Sequence, residues 1–594
     1  EGAPADLFVS ASNKWMKYLS DKNLTVKETE KVLVGNELVL IAPANSAANT
    51  VDLAKGAVTV TNYSLTGVRQ DTQSVTVPLD VQNIKYRISQ SNNETKVNNI
   101  IKFVTSNDYT SNKMFILDGV NTSNLINIPG ERKTVLLTLQ LRNVNQVNQI
   151  MYRTGTHSAG SEETSNNDNS RLIIENYDKS DEYSGELYVP YKMSSKEEEL
   201  KYISVSTNDG SVGPLWSYAG IGGNYAGNST GLIIAGGTLR VLGQNQNGAT
   251  AIGGGGNADA QISITGGSVT ALCSSTGAAI GGGIGWVLRG GNADVSITGG
   301  KVYAENIGYY TRGNIDFGGV AIGSGSSKDM YGSKAVVKIG GNSQVTAYAR
   351  YGNAIGSGNS YDSEAANAEI TIEENGHVIT NALGGGTSKN NQGGTADIII
   401  KDKALVDCID YSKITDKYDS SSDNMLGAYG IGGGNSSETF DGGAANVNIL
   451  GGTLKCNGGN IGGGDATGSG NGGNATINIS GGMVQSNNIG GGYSKTYGYA
   501  SSNVTITGGS INSSVSSQPT NGSENVYLTR ATLYSMDAAM TNHAIKSLSG
   551  TKLTADYGLN NVKTDENGTL YIWSPSASVI TSANDGSIDY DGSI

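Results

Sequence analysis

The stretch that decides the fold is residues 260–271, which read Ala-Gln-Ile-Ser-Ile-Thr-Gly-Gly-Ser-Val-Thr-Ala. Apolar and polar residues alternate on both sides of the Gly-Gly pair, and a period of two indicates β-strands. The pattern recurs along the chain at intervals of 27 to 49 residues. Its apolar triplets begin at Thr230, Ala260, Ala293, Ala335, Ala368, Ala396, Ala445, Ala475 and Ser502. A repeated unit too small to bury its own apolar face predicts stacked coils.

We therefore predict an all-β fold, a parallel and right-handed β-helix, or solenoid. Each repeat also contains an Ile or Leu before Gly-Gly or Gly-Ser, as at Ile252 and Ile280. Stacked coils would place these residues above one another in one core, and glycine would allow tight corners. We expect a β-rich N-terminal module or cap over residues 1–128, with a short helix at 11–22. The β-helix would follow over 129–522, and a small C-terminal β module over 523–594.

Composition excludes several function classes. The net charge is −13 without a basic patch, which argues against binding to nucleic acids or anionic membranes. No apolar run reaches the roughly 18 residues of a membrane-spanning helix. Cys273, Cys408 and Cys456 follow the inward parity of their strands, so we expect buried, unpaired thiols. The three histidines are scattered, and we predict neither a metal site nor a cofactor.

Two motifs connect the repeats to known proteins. Ala-Ile-Gly-Gly-Gly occurs at 251–255 and 279–283, the second copy followed by Ile-Gly-Trp, and residues 564–573 read Thr-Asp-Glu-Asn-Gly-Thr-Leu-Tyr-Ile-Trp. In these motifs, residues 130–594 resemble large secreted or wall-attached β-helix proteins of anaerobic Gram-positive gut bacteria. The resemblance implies an extracellular, carbohydrate-binding or adhesive protein. It carries over no catalytic motif, and the wall-sorting signal Leu-Pro-x-Thr-Gly is absent from the sequence.

The candidate ligand-binding residues lie in and around two long steps between repeats. Insertions in solenoids form loops on one face, so we expect residues 303–316 and 402–424 to leave the coil and border the functional face. The chain has 30 Tyr against 5 Phe, and a tyrosine ring with its polar tip suits a sugar. Although tyrosine is also a common strand residue, we take as ligand-binding candidates Tyr309, Tyr310, Arg312, Tyr331, Tyr348, Tyr351, Tyr411 and Tyr418.

Three functions remain open at this point. The favoured interpretation is a non-catalytic adhesin or glycan-binding protein, secreted or cell-wall associated, whose partner is a glycan or a host-surface ligand. The first alternative is a glycoside hydrolase or polysaccharide lyase that uses Asp407 and Asp410, because hydrolysis needs two carboxyl groups. The second alternative is a structural subunit of a surface fibre that self-associates through its terminal modules.

The outward positions of the first strand form polar columns along the stack. Glu369 and Asp397 occupy equivalent positions in successive coils, about 5 Å apart if the strands pair in register. Two ionised carboxylates at that distance repel each other, and calcium could neutralise them. We expect instead that Lys338 contacts Glu369, that Asp397 faces solvent, and that no metal binds there.

Overall fold

The fold is all-β, and its main feature is one continuous set of stacked parallel strands. The structure is a computed structural model. It describes residues 58–61, 69–70, 74–79, 86–90, 94, 96–105, 112–130, 133–157, 164–166, 169–204, 218–224, 226–243, 250–285, 289–312, 315–327, 333–417, 430–437, 439–506, 510–515, 524–528, 532–533, 552–555, 562–564 and 570–572. Nearly all strands pair with the equivalent strand of the next coil rather than with a sequence neighbour. The prediction of a β-solenoid is therefore confirmed.

Sheet A contains the first strand of each coil. The apolar triplets predicted from the sequence pair in order and in parallel, as Ala368–Ile372 does with Ala396–Ile400. The strand Val58–Thr61 joins this sheet antiparallel to Tyr86–Gln90. The parallel strands of sheet A lie in Tyr86–Gln90, Lys113–Asp118, Leu136–Arg142, Arg171–Asn176, Gly227–Gly243, Ala260–Cys273, Ala293–Ile297, Ala335–Ile339, Ala368–Ile372, Ala396–Ile400, Ala445–Ile449, Ala475–Ile479, Ser502–Ile506, Glu524–Leu528 and Lys552–Ala555.

Sheet B contains the second strand of each coil, after the glycine turn. Its register is also kept from coil to coil, as in the pairing of Leu405–Cys408 with residues 453–456. The strands of sheet B lie in Asn121–Pro129, Val144–Arg153, Glu186–Val189, Gly227–Gly243, Ala260–Cys273, Lys301–Asn306, Gln344–Ala349, His377–Thr380, Leu405–Cys408, Thr453–Gly462, Met483–Gly490, Ser510–Val515 and Thr532–Leu533. Several of these long strands bend and supply two sheets.

Sheet C contains the short Ile-Gly strands. Here Arg69–Gln70 pairs antiparallel with the first parallel strand. The parallel strands of sheet C lie in Ser74–Pro78, Ile100–Val104, Asn121–Pro129, Val144–Arg153, Ile221–Gly222, Ile252–Gly253, Ile280–Gly281, Ile322–Gly323, Ile355–Gly356, Ala382–Gly384, Gly430–Gly432, Thr453–Gly462, Met483–Gly490 and Ser510–Val515.

Each sheet directs alternate side chains into one shared core. Ile398 and Ile400 of sheet A, Val406 of sheet B and Ile431 of sheet C are all buried there. The Ile or Leu before each predicted glycine pair is buried from Ile221 to Ile489, as predicted. Cys273, Cys408 and Cys456 are buried and carry free thiols, which confirms the prediction made from strand parity.

A column of glycines runs along sheet C and requires its particular backbone. Gly356 has φ +134° and its neighbour Gly384 has φ +153°, conformations that L side chains rarely adopt. A Cβ at Gly356 would lie 2.1 Å from the carbonyl oxygen of Gly384. The same relation holds from Gly222 to Gly462, so the stacking distance itself excludes side chains at these positions.

The parallel pairings extend beyond the predicted solenoid at both ends. Ser74–Pro78 already pairs in parallel with Ile100–Val104, and Glu524–Leu528 pairs with Lys552–Ala555. The ladder therefore enters both flanking ranges, and the predicted division at residues 128 and 522 stays a prediction. The predicted helix at residues 11–22 lies outside the described residues.

Small elements leave the three sheets. Among the described residues they include the helix Lys196–Ser204, the 3₁₀ turn Tyr411–Lys413, and these antiparallel pairs: Gly155–His157 with Thr164–Asn166, Tyr309–Arg312 with Ile315–Gly318, Tyr493–Ser494 with Gly498–Tyr499, and Val562–Thr564 with Leu570–Ile572. Of the predicted excursion 303–316, residues up to Asn306 stay in sheet B, and Tyr309–Arg312 leaves it to pair with Ile315–Gly318. Likewise Leu405–Cys408 stays in sheet B within the excursion 402–424.

Candidate functional site

The outer face of sheet B is partly closed by the helix Lys196–Ser204. Glu199 of this helix is buried and forms a bidentate ion pair with Arg240 of sheet B. Beside this pair Ile203 packs in a buried apolar cluster with Leu242 and Leu272. The ion pair and the apolar contact hold the helix against sheet B. This part of sheet B is therefore not an open binding surface.

Residues 409–417 close a second part of the same face. Tyr411 is fully buried, and its hydroxyl donates to Glu305 Oε1 at 3.4 Å. Tyr303 donates to the other oxygen of Glu305 at 2.6 Å, and its ring meets Tyr348 edge-to-face at 6.0 Å. Lys417 lies 4.2 Å from the centroid of the Tyr411 ring. The excursion thus folds back over sheet B and covers a buried carboxyl group.

The predicted ligand-binding tyrosines are distributed differently from the expectation. Tyr348 is 2% exposed, Tyr351 is 3% exposed and Tyr411 is 0% exposed, so these rings contribute to packing rather than to an accessible surface. An outward-facing side chain of sheet B is not necessarily exposed to solvent, because segments from distant coils cover the outer face of this sheet. The other predicted ligand-binding side chains lie outside the described part: Tyr309, Tyr310, Arg312, Tyr331 and Tyr418. Ligand binding by the eight predicted residues stays a prediction.

Asp407 and Asp410, the carboxylates of the enzyme alternative, both have local partners. Asp410 Oδ1 accepts hydrogen bonds from the backbone N–H of Ser412 at 2.9 Å and from its hydroxyl at 2.8 Å, which caps the 3₁₀ turn. Asp407 Oδ2 lies 3.7 Å from Nε2 of His377 in the preceding coil. The turn accounts for Asp410 structurally, and a catalytic role for the two aspartates stays a prediction.

The outer face of sheet A is polar, as its columns predicted, but one pairing differs. Glu369 and Asp397 are register partners, and Asp397 is exposed, as expected. Lys338 does not contact Glu369. It binds Glu373 at 2.6 Å, and Lys401 binds the other oxygen of Glu373 at 2.8 Å. The predicted Lys338–Glu369 contact is therefore wrong.

The physical reason for this difference lies in the position of the carboxylates. Glu373 follows the end of its strand, where lysines from the coils before and after can both reach it. Hydrogen bonds from Lys338 and then Lys401 hold the pKa of Glu373 below its usual value. Glu369 pairs instead with Lys334 at 2.5 Å. The prediction compared only residues within the strands of sheet A. It missed Glu373 and Lys334 because each lies one position outside its strand.

An open cleft lies at the corner between sheets A and B in the early coils. We call it the Tyr177 cleft, and its volume is about 760 Å³. The Tyr177 ring is 37% exposed, and the Arg142 guanidinium lies over it, 5.1 Å from the ring centroid. The cleft is lined by Gln140, Leu141, Arg142, Asn143, Tyr177, Asp178, Lys179 and Ser184.

Buried Asp118 anchors one wall of the Tyr177 cleft. Asn143 Nδ2 donates to Asp118 Oδ1 at 2.6 Å, and Arg142 Nη1 lies 3.8 Å from Oδ2. Arg87 also pairs with Asp118. Asn143 has φ +58°, a left-handed conformation that Asn tolerates, so the chain turns sharply just after Arg142. One buried carboxylate therefore fixes two donors at the cleft.

Asn176 organises the opposite wall, which is the loop from Tyr177 to Ser184. Its Nδ2 donates to the carbonyl of Asp178 at 2.6 Å and to Ser184 Oγ at 3.0 Å. Its Oδ1 accepts from the N–H of Gly185 at 2.7 Å. One buried amide thus closes the loop on itself, so the Tyr177 ring is presented by a backbone with defined hydrogen bonds.

The charged groups around the cleft are tied to neighbours. Glu175 accepts from Gln140 Nε2 at 2.8 Å and pairs with Lys179 at 2.7 Å. Asp178 accepts from the hydroxyl and the N–H of Ser180, and these hydrogen bonds lower its pKa. The arrangement combines an exposed aromatic face with hydrogen-bond donors and an ionised acceptor. It suits a neutral ligand with many hydroxyl groups.

The Tyr177 cleft was not predicted from the sequence. Its signal would have been the run Asn176-Tyr-Asp-Lys-Ser-Asp181, which places turn-forming residues directly after a strand.

A second, smaller cleft of about 370 Å³ lies on sheet A beside Lys334, Glu369 and Asp397. Within the described ranges no group of three His, Cys, Asp or Glu is arranged to hold a metal ion. Nor do the described helices include one long and apolar enough to cross a membrane.

Comparison with known proteins finds similarity at the N-terminus. Residues 1–74 match the family of bacterial extracellular solute-binding proteins. The molybdate-binding protein ModA of Haemophilus influenzae is 86% identical over 56 residues, which cover 9% of this chain and 22% of the relative. The molybdate-binding protein ModA of Escherichia coli is 53% identical over 45 residues, 8% of this chain and 18% of the relative. The chain thus spans about a fifth of the length of these curated relatives. No solved structure matches the chain significantly.

These matches overturn the family resemblance drawn from the repeats. The matching family is that of extracellular solute-binding proteins, and the match lies in residues 1–74 rather than in 130–594. The identification with β-helix surface proteins of Gram-positive gut bacteria is therefore wrong. Ala-Ile-Gly-Gly-Gly is a poor family marker because the geometry of sheet C itself demands it: buried Ile, then glycine with positive φ. The N-terminal region resembles exported binding proteins.

Proposed function

We propose that this chain is an exported, non-catalytic binding protein whose β-helix holds a carbohydrate in the Tyr177 cleft. The observation that carries the proposal is the exposed Tyr177 ring in a cleft of about 760 Å³, beside Arg142 and Asn143. A pyranose ring offers an apolar face for the tyrosine and hydroxyl groups for the surrounding donors. Stacking on a rigid aromatic ring also orders few additional rotatable bonds.

The carboxylate of the cleft supports binding rather than hydrolysis. A glycoside hydrolase needs one carboxyl group with a raised pKa as the general acid. At Asp178, the carboxylate that lines the cleft, the hydrogen bonds from Ser180 instead lower the pKa. This group is suited to accept hydrogen bonds from sugar hydroxyls. Export is supported by the similarity of residues 1–74 to extracellular solute-binding proteins.

A glycan microarray tests this proposal directly. The labelled full chain is applied at micromolar concentration, beside an Arg142→Ala/Tyr177→Ala double variant. We expect the wild-type chain to bind a related group of glycans and the double variant to lose most of that signal. If the wild-type chain binds no glycan, or if both proteins bind the same glycans equally, the proposal is contradicted.

A second candidate function is the binding of a small oxyanion through the N-terminal segment. It is favoured by the 86% identity of 56 residues to a protein named as molybdate-binding. Isothermal titration of the full chain with sodium molybdate tests it, with sodium sulfate as the competing anion. Saturable binding that is unaffected by Tyr177→Ala would support this candidate, and the absence of heat would refute it. The outcome is independent of the glycan array.

A further inference from the structure

Two of the three buried cysteines are stacked on each other in successive coils. Cys408 ends the strand Leu405–Cys408, and Cys456 is its register partner in the next coil of sheet B. Both thiols are inside the core and both are free. Register partners of adjacent parallel strands are about 4.8 Å apart, which lies inside the Cα–Cα range of about 4.4–6.8 Å for disulfides. The ladder thus places two thiols within bonding reach.

We propose that Cys408 and Cys456 are an oxidation site that forms a disulfide between neighbouring coils. Cys408 is the last residue of sheet B before the excursion over residues 409–417, and the chain returns to the same sheet at residues 453–456. The disulfide would therefore join the two ends of the loop that contains this excursion. This inference is independent of the proposed function.

The third cysteine provides an internal comparison. Cys273 is also buried and inward, but it lies two residues beyond the position equivalent to Cys408, and its register partners are Gly243 and Asn306. Burial raises the pKa of Cys273 to about 12. For Cys408 the pKa is raised well above its usual value, first by a hydrogen bond with Cys456 and then by burial. Cys408 thus has a second cysteine as its register partner, whereas neither register partner of Cys273 is a cysteine.

The oxidant would be a low-mass disulfide such as oxidised glutathione. The thiolate of one cysteine attacks the glutathione disulfide, forms a mixed disulfide and releases one reduced glutathione. The second cysteine attacks the protein sulfur of that mixed disulfide and releases the second glutathione. The protein loses two electrons and two protons, which the two glutathione molecules carry away. Because the folded thiols are buried and protonated, the exchange would proceed while the coils stack, and slowly afterwards.

The test is thiol counting by mass spectrometry. The full chain is denatured and refolded with a mixture of oxidised and reduced glutathione, then alkylated under denaturing conditions without reductant. We expect one alkylated cysteine, Cys273, and a cross-linked peptide pair that contains Cys408 and Cys456. Three alkylated cysteines, or a disulfide that includes Cys273, would overturn the proposal.

Two variants and one stability measurement complete the test. Cys408→Ser should give two alkylated thiols, and Cys273→Ser should give none while it keeps the cross-link. The cross-linked protein should unfold at a higher urea concentration than the same protein after reduction. An unchanged urea midpoint would contradict the bond's proposed role in closing the loop. Because the thiol count is read by mass, it remains decisive even if a variant is less stable.

Discussion

Gly356 offers the sharpest test of the stacking geometry. A Cβ at this position would lie 2.1 Å from the Gly384 carbonyl oxygen, and the backbone has φ +134°. An alanine there would adopt a rarely populated backbone conformation, which costs about 1–3 kcal/mol of folding free energy. It would also push apart the ladder in which Ser357 N–H donates to the Gly384 carbonyl at 3.0 Å. Loss of one buried backbone hydrogen bond adds about 1–3 kcal/mol. Together these effects predict that Gly356→Ala destabilises the coil by about 2–6 kcal/mol.

Gly340, in the sheet A part of the same coil, provides the matched control. A Cβ at Gly340 would meet only side-chain atoms at 3.2 and 3.3 Å, with the nearest backbone atom 3.7 Å away, and its φ is not positive. Gly340→Ala should therefore change stability by less than about 1 kcal/mol. The assay is the urea midpoint followed by circular dichroism, with hydrogen exchange to locate the opened coils. If Gly356→Ala unfolds at the same urea concentration as Gly340→Ala, the claim that coil stacking excludes a side chain at Gly356 is refuted.

Three further predictions concern the core, the ion pairs and the covered face. Ile398→Ala removes a fully buried side chain from the shared core and should cost about 2–5 kcal/mol in urea unfolding; a smaller loss than for Ile399→Ala, on the outward face, would contradict the assigned parity. Since the folded pKa of Glu373 is lowered, its ion pairs stabilise the fold above about pH 4.5 and lose this effect as the pH falls through the lowered pKa. Glu373→Gln should thus cost about 1 kcal/mol at pH 7 and less at pH 3; an equal loss at both pH values would refute the linkage. Tyr411→Ala should speed hydrogen exchange in residues 409–417, which the Tyr411–Glu305 contact holds on sheet B, and unchanged exchange would count against that contact.

The solenoid could be predicted from the sequence because each repeat determines its own local structure. Alternation assigns Ile398 and Ile400 to the core, and in-register stacking then fixes which residues become neighbours. The early coils were harder to recognise because they lack the Gly-Gly turn, although Ile101 and Leu137 are buried in the same core.

The candidate site depended on contacts that strand parity does not describe. Tyr348 has a parity that predicts an outward ring, yet segments from distant coils bury it. Tyr177 is exposed because Asn176 closes a loop beneath it, a hydrogen-bond arrangement that the sequence suggests only as a turn. The pairing of Lys338 with Glu373 likewise depends on residues beyond the strand ends.

The most direct test of the proposed function is a calorimetric titration with the best glycan from the array. The titration compares the wild-type chain, Tyr177→Ala, and Tyr493→Ala as a control, since Tyr493 is 45% exposed in the distant antiparallel pair Tyr493–Ser494 with Gly498–Tyr499. Loss of an aromatic stacking contact of about 0.5–1.5 kcal/mol predicts a roughly 2- to 13-fold weaker affinity for Tyr177→Ala. Tyr493→Ala should bind like the wild-type chain. Equal affinity of the wild-type chain and Tyr177→Ala would contradict the assignment of the cleft as the carbohydrate site.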